Sequence, residues 1–165
     1  MGTQEIGVNY AQGPLAVSFS NLKQDFAGIS SVNGSLATAG TTLSTVNTLA
    51  GAYTVGAAKV GLMTQTNKTD TGSVNNRATT VSATYTMGAT VLMAQAGSLT
   101  DKANTKSTLT AVGADYNLSK RTAVYFRAES INDKAGAMNA AVTPTAVKGT
   151  DTTFARTAVG IRHAF

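Results

Sequence analysis

Val81-Ser82-Ala83-Thr84-Tyr85-Thr86-Met87-Gly88-Ala89 sets Val81, Ala83, Tyr85 and Met87 at alternate positions and then reaches a glycine. A period of two marks a strand with two unlike faces. A Gly at its end permits the positive φ that tight hairpin turns demand. The same corner recurs in Tyr10-Ala11-Gln12-Gly13-Pro14 and Tyr53-Thr54-Val55-Gly56-Ala57, with Tyr116-Asn117-Leu118-Ser119-Lys120 as a looser fourth copy. Alternation flanks every corner. Ile6, Val8 and Tyr10 oppose Glu5, Gly7 and Asn9, and Leu15, Val17 and Phe19 oppose Ala16, Ser18 and Ser20. Leu49, Gly51, Tyr53 and Val55 share a face, and Val60 and Leu62 oppose Lys59, Gly61 and Met63. Further on, Val112, Ala114 and Tyr116 oppose Asp115, and Val124, Phe126 and Ala128 oppose Tyr125, Arg127 and Glu129. The chain closes with Val159, Ile161, His163 and Phe165 opposite Arg156, Gly160 and Arg162. Residues 90–96 are ambiguous, since Leu92 and Ala94 can face either way relative to Val91 and Met93. The pattern predicts an all-β chain of about nine antiparallel strands.

The connections alternate in length. Those marked by Tyr are short, and the opposite ones read as long and polar, over residues 23–45, 66–76, 97–106 and 131–152. Soluble sandwiches seldom separate short and long loops so strictly, whereas transmembrane barrels place short turns at one end and long loops at the other. Charged residues make up only 13% and mean hydropathy is +0.01, so apolar and small polar residues are finely mixed. No apolar run is long enough for a membrane helix. Cysteine is absent, which excludes disulfides and thiolate metal sites and suits passage through an oxidising periplasm. The thirteen Lys and Arg, giving a formal charge of +5, are scattered singly apart from Lys120-Arg121. A nucleic-acid binder would gather them into a stripe. Met1-Gly2-Thr3-Gln4-Glu5 carries neither the basic start nor the apolar core of a signal peptide.

Alternation alone does not say which face is wet. In a sandwich the apolar face packs into a core; in a membrane barrel it meets lipid, and the polar face lines a lumen. Tyr10, Tyr53, Tyr85 and Tyr116 read as the last strand residue before each short turn, with Phe165 expected at the same level. Tyrosine prefers the membrane–water interface, where an apolar ring and a polar tip are both satisfied. Such a row predicts an aromatic girdle, and strands of ten or more residues are long enough to cross a bilayer when tilted.

Thr157-Ala158-Val159-Gly160-Ile161-Arg162-His163-Ala164-Phe165 resembles the last strand of Gram-negative general porins, especially the trimeric porins of β-proteobacteria. Tyr116-Asn117-Leu118-Ser119-Lys120-Arg121-Thr122-Ala123-Val124-Tyr125 resembles that family's penultimate hairpin, and Tyr10-Ala11-Gln12-Gly13-Pro14-Leu15 an earlier one. The resemblance implies an antiparallel transmembrane β-barrel in the bacterial outer membrane, passing small hydrophilic solutes and ions as a homotrimer. It also implies that the terminal Phe165 is a sorting signal for the barrel-assembly machinery. The family's barrel has roughly sixteen strands, enough for an aqueous channel. Residues 1–165 would therefore be its C-terminal part, with the signal peptide, first strands and constricting loop elsewhere and Met1 an internal start. Strands near Ile6 and Ile161 would be left as unpaired edges. The competing reading is a non-channel surface or secreted protein, such as an adhesin-like β-sandwich.

No residue pattern calls for catalysis, a metal or a cofactor. His163 is the single histidine, and Asn67-Lys68-Thr69-Asp70-Thr71-Gly72 lacks the closing Glu of a calcium loop and reads as a solvated loop. The site-like feature is a set of charges expected to face the lumen: Lys59, Arg127, Arg156 and Arg162, with Arg121 at the turn-side rim, against Glu5, Asp115 and Glu129. Their balance leans positive and predicts weak anion selectivity, because charges lining a pore bias which ions enter. Arg127 and Glu129 share a strand face and partly cancel, which leaves Arg156 and Arg162 as the stronger pair.

Overall fold

The computed structural model describes residues 3–27, 31–32, 35–36, 41–134 and 153–165. Their alternating sequence folds into strands throughout. These are β1 (Thr3–Gln12), β2 (Leu15–Ala27), β3 (Ser31–Val32), β4 (Ser35–Leu36), β5 (Thr41–Val55) and β6 (Ala58–Thr69). After them come β7 (Asn75–Met87), β8 (Thr90–Thr100), β9 (Lys106–Asn117), β10 (Thr122–Asn132) and β11 (Thr153–His163). Nine form one antiparallel sheet in the order β1-β2-β5-β6-β7-β8-β9-β10-β11, and β3 pairs with β4. Apart from that small pair, each strand bonds to its neighbour in sequence, and β1 and β11 are the two edges of an open sheet.

This sheet has no core. Among the described side chains only Ala123 and Ile131 are buried and apolar, while Ile6, Val8, Leu62, Val159 and Ile161 are each more than half exposed. An exposed Val, Leu or Ile forgoes about 1.5–3 kcal/mol of burial in water. A sandwich would recover that energy with a second sheet over the apolar face; the described residues provide none, so the adhesin-like sandwich reading fails. The solvent for this face is lipid.

The ladder fixes the faces and the tilt. Leu15 pairs with Tyr53 two residues turnward of Val17, the partner of Tyr10. Tyr85 lies on the rung of Val55 through Ala58, and Tyr116 on the rung of Met87 through Thr90. Each tyrosine is therefore displaced by two residues from the one before it, two strands away. At about 3.4 Å per residue and about 4.8 Å between strands, that stagger is levelled by a strand tilt of about 35°. Transmembrane barrels tilt their strands by about 35–45°.

The short turns behave as their glycines require. Gly13, Gly56 and Gly88 have φ of 55–56°, and the residue after each has negative φ. This is the sign pattern of a II′ hairpin turn, with Gly at the first central position. Each strand runs on past its tyrosine, by two residues at Tyr10, Tyr53 and Tyr85 and by one at Tyr116, so the tyrosines are not the last strand residues. At the other end, two expected long loops are short. β6 continues to Thr69 and β7 starts at Asn75; β8 continues to Thr100 and β9 starts at Lys106. Asn67 pairs with Asn76 and Lys68 with Asn75 inside the ladder, because polar residues extend a hairpin freely once both faces are wet. Residues 101–105 close tightly, with Asp101 Oδ1 accepting the amides of Ala103 and Thr105 and Asn104 at φ 62°. The expected loop at residues 23–45 is narrowed to 28–40 and holds β3 and β4, and residues 135–152 of the fourth connection lie outside the described residues.

Gly56→Val and Gly88→Val should each destabilise the folded sheet by about 1–2 kcal/mol, the cost of left-handed backbone in a residue with a side chain. Ala57→Ser, at negative φ, should stay within about 0.5 kcal/mol. Urea unfolding in phospholipid vesicles, followed by far-UV circular dichroism, measures all three.

Candidate functional site: the polar face of the sheet

Following the register across the sheet sorts the predicted residues onto two faces. Tyr10, Tyr53, Tyr85 and Tyr116 stand on the apolar face, each about half exposed, together with Leu92 and Ala94, which resolves the ambiguity in β8. Carried to β11, the same two-residue stagger brings His163, not Phe165, to the tyrosine level, since Ile161 occupies the rung of Tyr116 through Val124. Phe165 follows the strand and meets His163 edge-on at 4.9 Å between ring centroids. His163 Nδ1 lies 2.8 Å from Thr122 Oγ1.

Glu5, Lys59, Asp115, Arg127, Glu129, Arg156 and Arg162 all occupy the opposite face. Arg121 lies in the turn between β9 and β10, where its carbonyl accepts the Ala164 amide at 2.9 Å and pins the C-terminus beside that turn. The charges are unevenly spread. From β5 to β8 this face is built of hydroxyls and amides such as Thr48, Gln65, Thr80, Ser82, Thr84 and Gln95, with Lys59 as its single charge. On β9–β11 the charges alternate in sign up the wall, in the order Arg162, Asp115, Arg127, Glu129, Arg156. Arg162 and Arg156 are six residues apart on one strand, which at the tilt above is roughly 17 Å of height.

Cross-strand neighbours decide the pairing. Arg127 Nη2 lies 2.7 Å from Asp115 Oδ1, and Arg162 Nη2 lies 3.7 Å from Asp115 Oδ2. Arg156 pairs with Glu129, its direct partner across the ladder. The sequence expectation that Arg127 and Glu129 cancel on one strand is thus corrected. Residues i and i+2 stand parallel about 7 Å apart, whereas opposite residues approach to about 5 Å. Arg156 is therefore a neutralised charge. Arg162 shares an already occupied carboxylate and keeps 68% of its side chain exposed. Each exposed pair contributes at most about 1 kcal/mol.

Two glycines, which sequence reading assigned no role here, carry this wall. The Tyr125 ring lies across Gly160, and the Arg127 side chain across Gly113. A Cβ on Gly160 would fall 2.5 Å from Tyr125 Oη, and one on Gly113 would fall 2.8 Å from Arg127 Cδ. The laid-down Tyr125 ring also receives the Arg127 guanidinium, 5.5 Å from its centroid. Higher up, Ser107 Oγ donates to the Asp133 carboxylate at 2.8 Å and Ser44 Oγ to Asn67 Oδ1 at 2.9 Å, closing the wall with cross-strand side-chain hydrogen bonds. Among the described residues no cluster of His, Cys, Asp or Glu could hold a metal ion.

An apolar outer face, a polar inner face and a uniform tilt are matched by a known sequence family: the model for Gram-negative porins aligns with residues 2–136. The chain belongs to the Gram-negative porin family. It is accordingly a protein of the bacterial outer membrane. The fold is similar to that of an anion-selective porin from Comamonas acidovorans, with a TM-score of 0.76 and 26% identity over 96% of this chain and 48% of that one. It is also similar to OmpT, expressed in the outer membrane of Vibrio cholerae, at TM-score 0.72 and 18% identity over 98% of this chain and 55% of that one. A trimer form of in-vitro folded OmpT matches at TM-score 0.64 and 19% identity, over 96% of this chain and 54% of that one. The chain spans about half the length of these outer-membrane proteins. No protein of curated function matches it.

Gly160→Ala should destabilise the porin by about 1–3 kcal/mol, the usual cost of overpacking. Adding Tyr125→Ala should recover at least half of that loss, because the clash needs both side chains. A double-mutant cycle of urea midpoints in vesicles measures the coupling.

Proposed function

We propose that this chain forms part of the wall of a water-filled channel through which small hydrophilic solutes and ions cross the outer membrane passively, with anions favoured, and that it carries out no chemistry. The observation that supports this most directly is the coreless sheet with one face for lipid and one for water. A polar face of hydroxyls, amides and paired charges is stable against a wet lumen and costly against anything else. Lys59, Arg121 and Arg162 carry the anion preference, since Asp115 and Glu129 are engaged by Arg127 and Arg156. The anion-selective porin of Comamonas acidovorans supports the same sign.

The row of Tyr10, Tyr53, Tyr85 and Tyr116 would sit at the membrane–water interface on the turn side, continued by His163, with Phe165 beyond it. The free edges of β1 and β11 would receive the further strands that close the barrel, because hydrocarbon cannot satisfy open backbone groups. Homotrimer assembly is supported by the trimeric form of OmpT, and engagement of the assembly machinery by the exposed terminal Phe165. Phe165→Ala should lower the amount of porin at the cell surface while leaving the urea midpoint of inserted protein unchanged. Equal surface labelling of mutant and wild type would count against that role.

The selectivity test is the reversal potential of the porin in a KCl gradient across a planar bilayer. The wild type should favour chloride, Arg162→Glu should move the potential toward potassium, and Arg156→Glu should move it less. A potassium-selective wild type, or equal shifts from the two arginines, would refute the assignment. Raising ionic strength should shrink every difference, since screening acts over about 8–10 Å.

A further inference from the structure

The polar face is hollowed where its charges are fewest. On β5–β8 the rungs Thr54–Lys59–Thr84 and Ala52–Gly61–Ser82–Gln95 lie one above the other, with Ala50, Met63 and Thr80 on the next rung up. Alanine and glycine at the centre leave a depression of about 480 Å³ on this face, rimmed by Lys59, Thr84, Ser82, Gln95 and Met63. The gaps at Gly113 and Gly160 are filled by Arg127 and Tyr125 lying across them. The gap at Gly61 stays open. A Cβ there would meet the small Ser82 hydroxyl at 2.9 Å and otherwise a backbone oxygen at 3.6 Å.

The polar groups of the rim lack partners. Nearer the loop end the inward side chains of β5 and β6 satisfy one another, Ser44 with Asn67 and Gln65 with Thr48. Around the depression, the Ser82 and Thr84 hydroxyls, the Gln95 amide and the Lys59 ammonium have no hydrogen-bond or ion-pair partner among the described residues. The carboxylates of this face, Glu5, Asp115 and Glu129, are at least three strands from Lys59, roughly 14 Å or more. Two of them are already engaged by Arg127 and Arg156. Lys59 stands directly opposite Thr84, and Ser82 opposite Gln95. From Lys59 to Gln95 is two strands across and two residues along, roughly 12 Å between backbones.

This arrangement specifies a ligand. The cation at the turn end calls for one carboxylate. The hydroxyls and the amide, which both donate and accept, call for a row of alcohols beyond it. The floor of Ala50, Ala52 and Gly61 takes the C–H edge of such a chain without stranding a polar group.

We infer that the depression is a binding subsite for polyhydroxylated carboxylates, the sugar acids, with Lys59 and Thr84 holding the carboxylate and Ser82 and Gln95 the hydroxyls. The inference rests on this face being the wall of the channel, and it gives that channel a preferred class of anion. Arg121 and Arg162 attract anions by charge alone, whereas this site separates sugar acids from simple acids. A few hydrogen bonds in a wet lumen keep the binding weak enough for release, as conduction requires.

The test uses the intact porin in neutral detergent, with D-gluconate as probe, hexanoate as the acid lacking hydroxyls and glucitol as the polyol lacking charge. Saturation-transfer NMR titrations measure each affinity. Gluconate should bind about tenfold more tightly than either, the worth of one charge-assisted hydrogen bond or a pair of neutral ones. Lys59→Gln should cost gluconate that tenfold and leave glucitol unchanged. Ser82→Ala with Gln95→Ala should lower gluconate to the affinity of hexanoate. Ala52→Leu, which fills the floor, should weaken gluconate and glucitol together. Far-UV circular dichroism confirms that each variant is folded. Hexanoate binding as tightly as gluconate in the wild type, or wild-type affinity for gluconate in any folded variant, would overturn the site. Conductance of KCl across a planar bilayer, on the same preparations, reports separately on the channel. A porin that conducts but binds the two acids alike keeps the channel and loses the site, and one that does not conduct fails the channel reading itself.

Discussion

An amide proton in hydrocarbon finds no water, so it must bind another strand. Everything else in this molecule follows from that constraint. It demands an unbroken ladder, and the ladder in turn fixes which side chains share a face and at what height. The nine-stranded sheet meets the demand between every pair of sequence neighbours, leaving only the outer edges of β1 and β11 open. Packing contributes little: the apolar side chains are largely exposed, and their energy comes from contact with lipid.

Freed from building a core, each face is composed for its own solvent. Outward, the residues pass from aromatic and aliphatic through Thr and Asn to Lys and Arg as the strands rise from the turns. Inward, small residues make room for large ones lying flat. Tyr125 rests over Gly160 and Arg127 over Gly113, so that bulk is directed along the wall instead of into the passage. The ion pairs follow the ladder. Glu129 meets Arg156 because they are opposite, and this leaves Arg162, beside an already engaged Asp115, as the exposed positive end of the series.

The strands were legible in the sequence because a period of two survives any solvent, and the Tyr–Gly corners marked where to reverse it. Their ends at the loop side were not: Asn67, Lys68 and Asn75 have loop-like composition yet pair in the ladder, because polar residues carry no alternation once both faces are wet. Which residues face inward was legible from parity alone. Which carboxylate holds which arginine was not, since Glu129–Arg156 and Asp115–Arg127 depend on the register between strands, and a short sequence separation such as that of Arg127 and Glu129 is a poor guide to it. Gly160 and Gly113 escaped for the same reason, their function being set by a residue on the next strand.

The uniform stagger has a consequence for how such a wall can change in size. Each hairpin advances the register by the same two residues, and each bonds only to the hairpins before and after it in the chain. Strand inclination depends on the ratio of advance to width, and one hairpin adds to both in fixed proportion. A gene that gained or lost such a unit would alter the circumference of the pore while keeping its strands equally inclined and its aromatic rim level. Bore is thereby uncoupled from membrane fit, and evolution can vary the one through whole hairpins without disturbing the other.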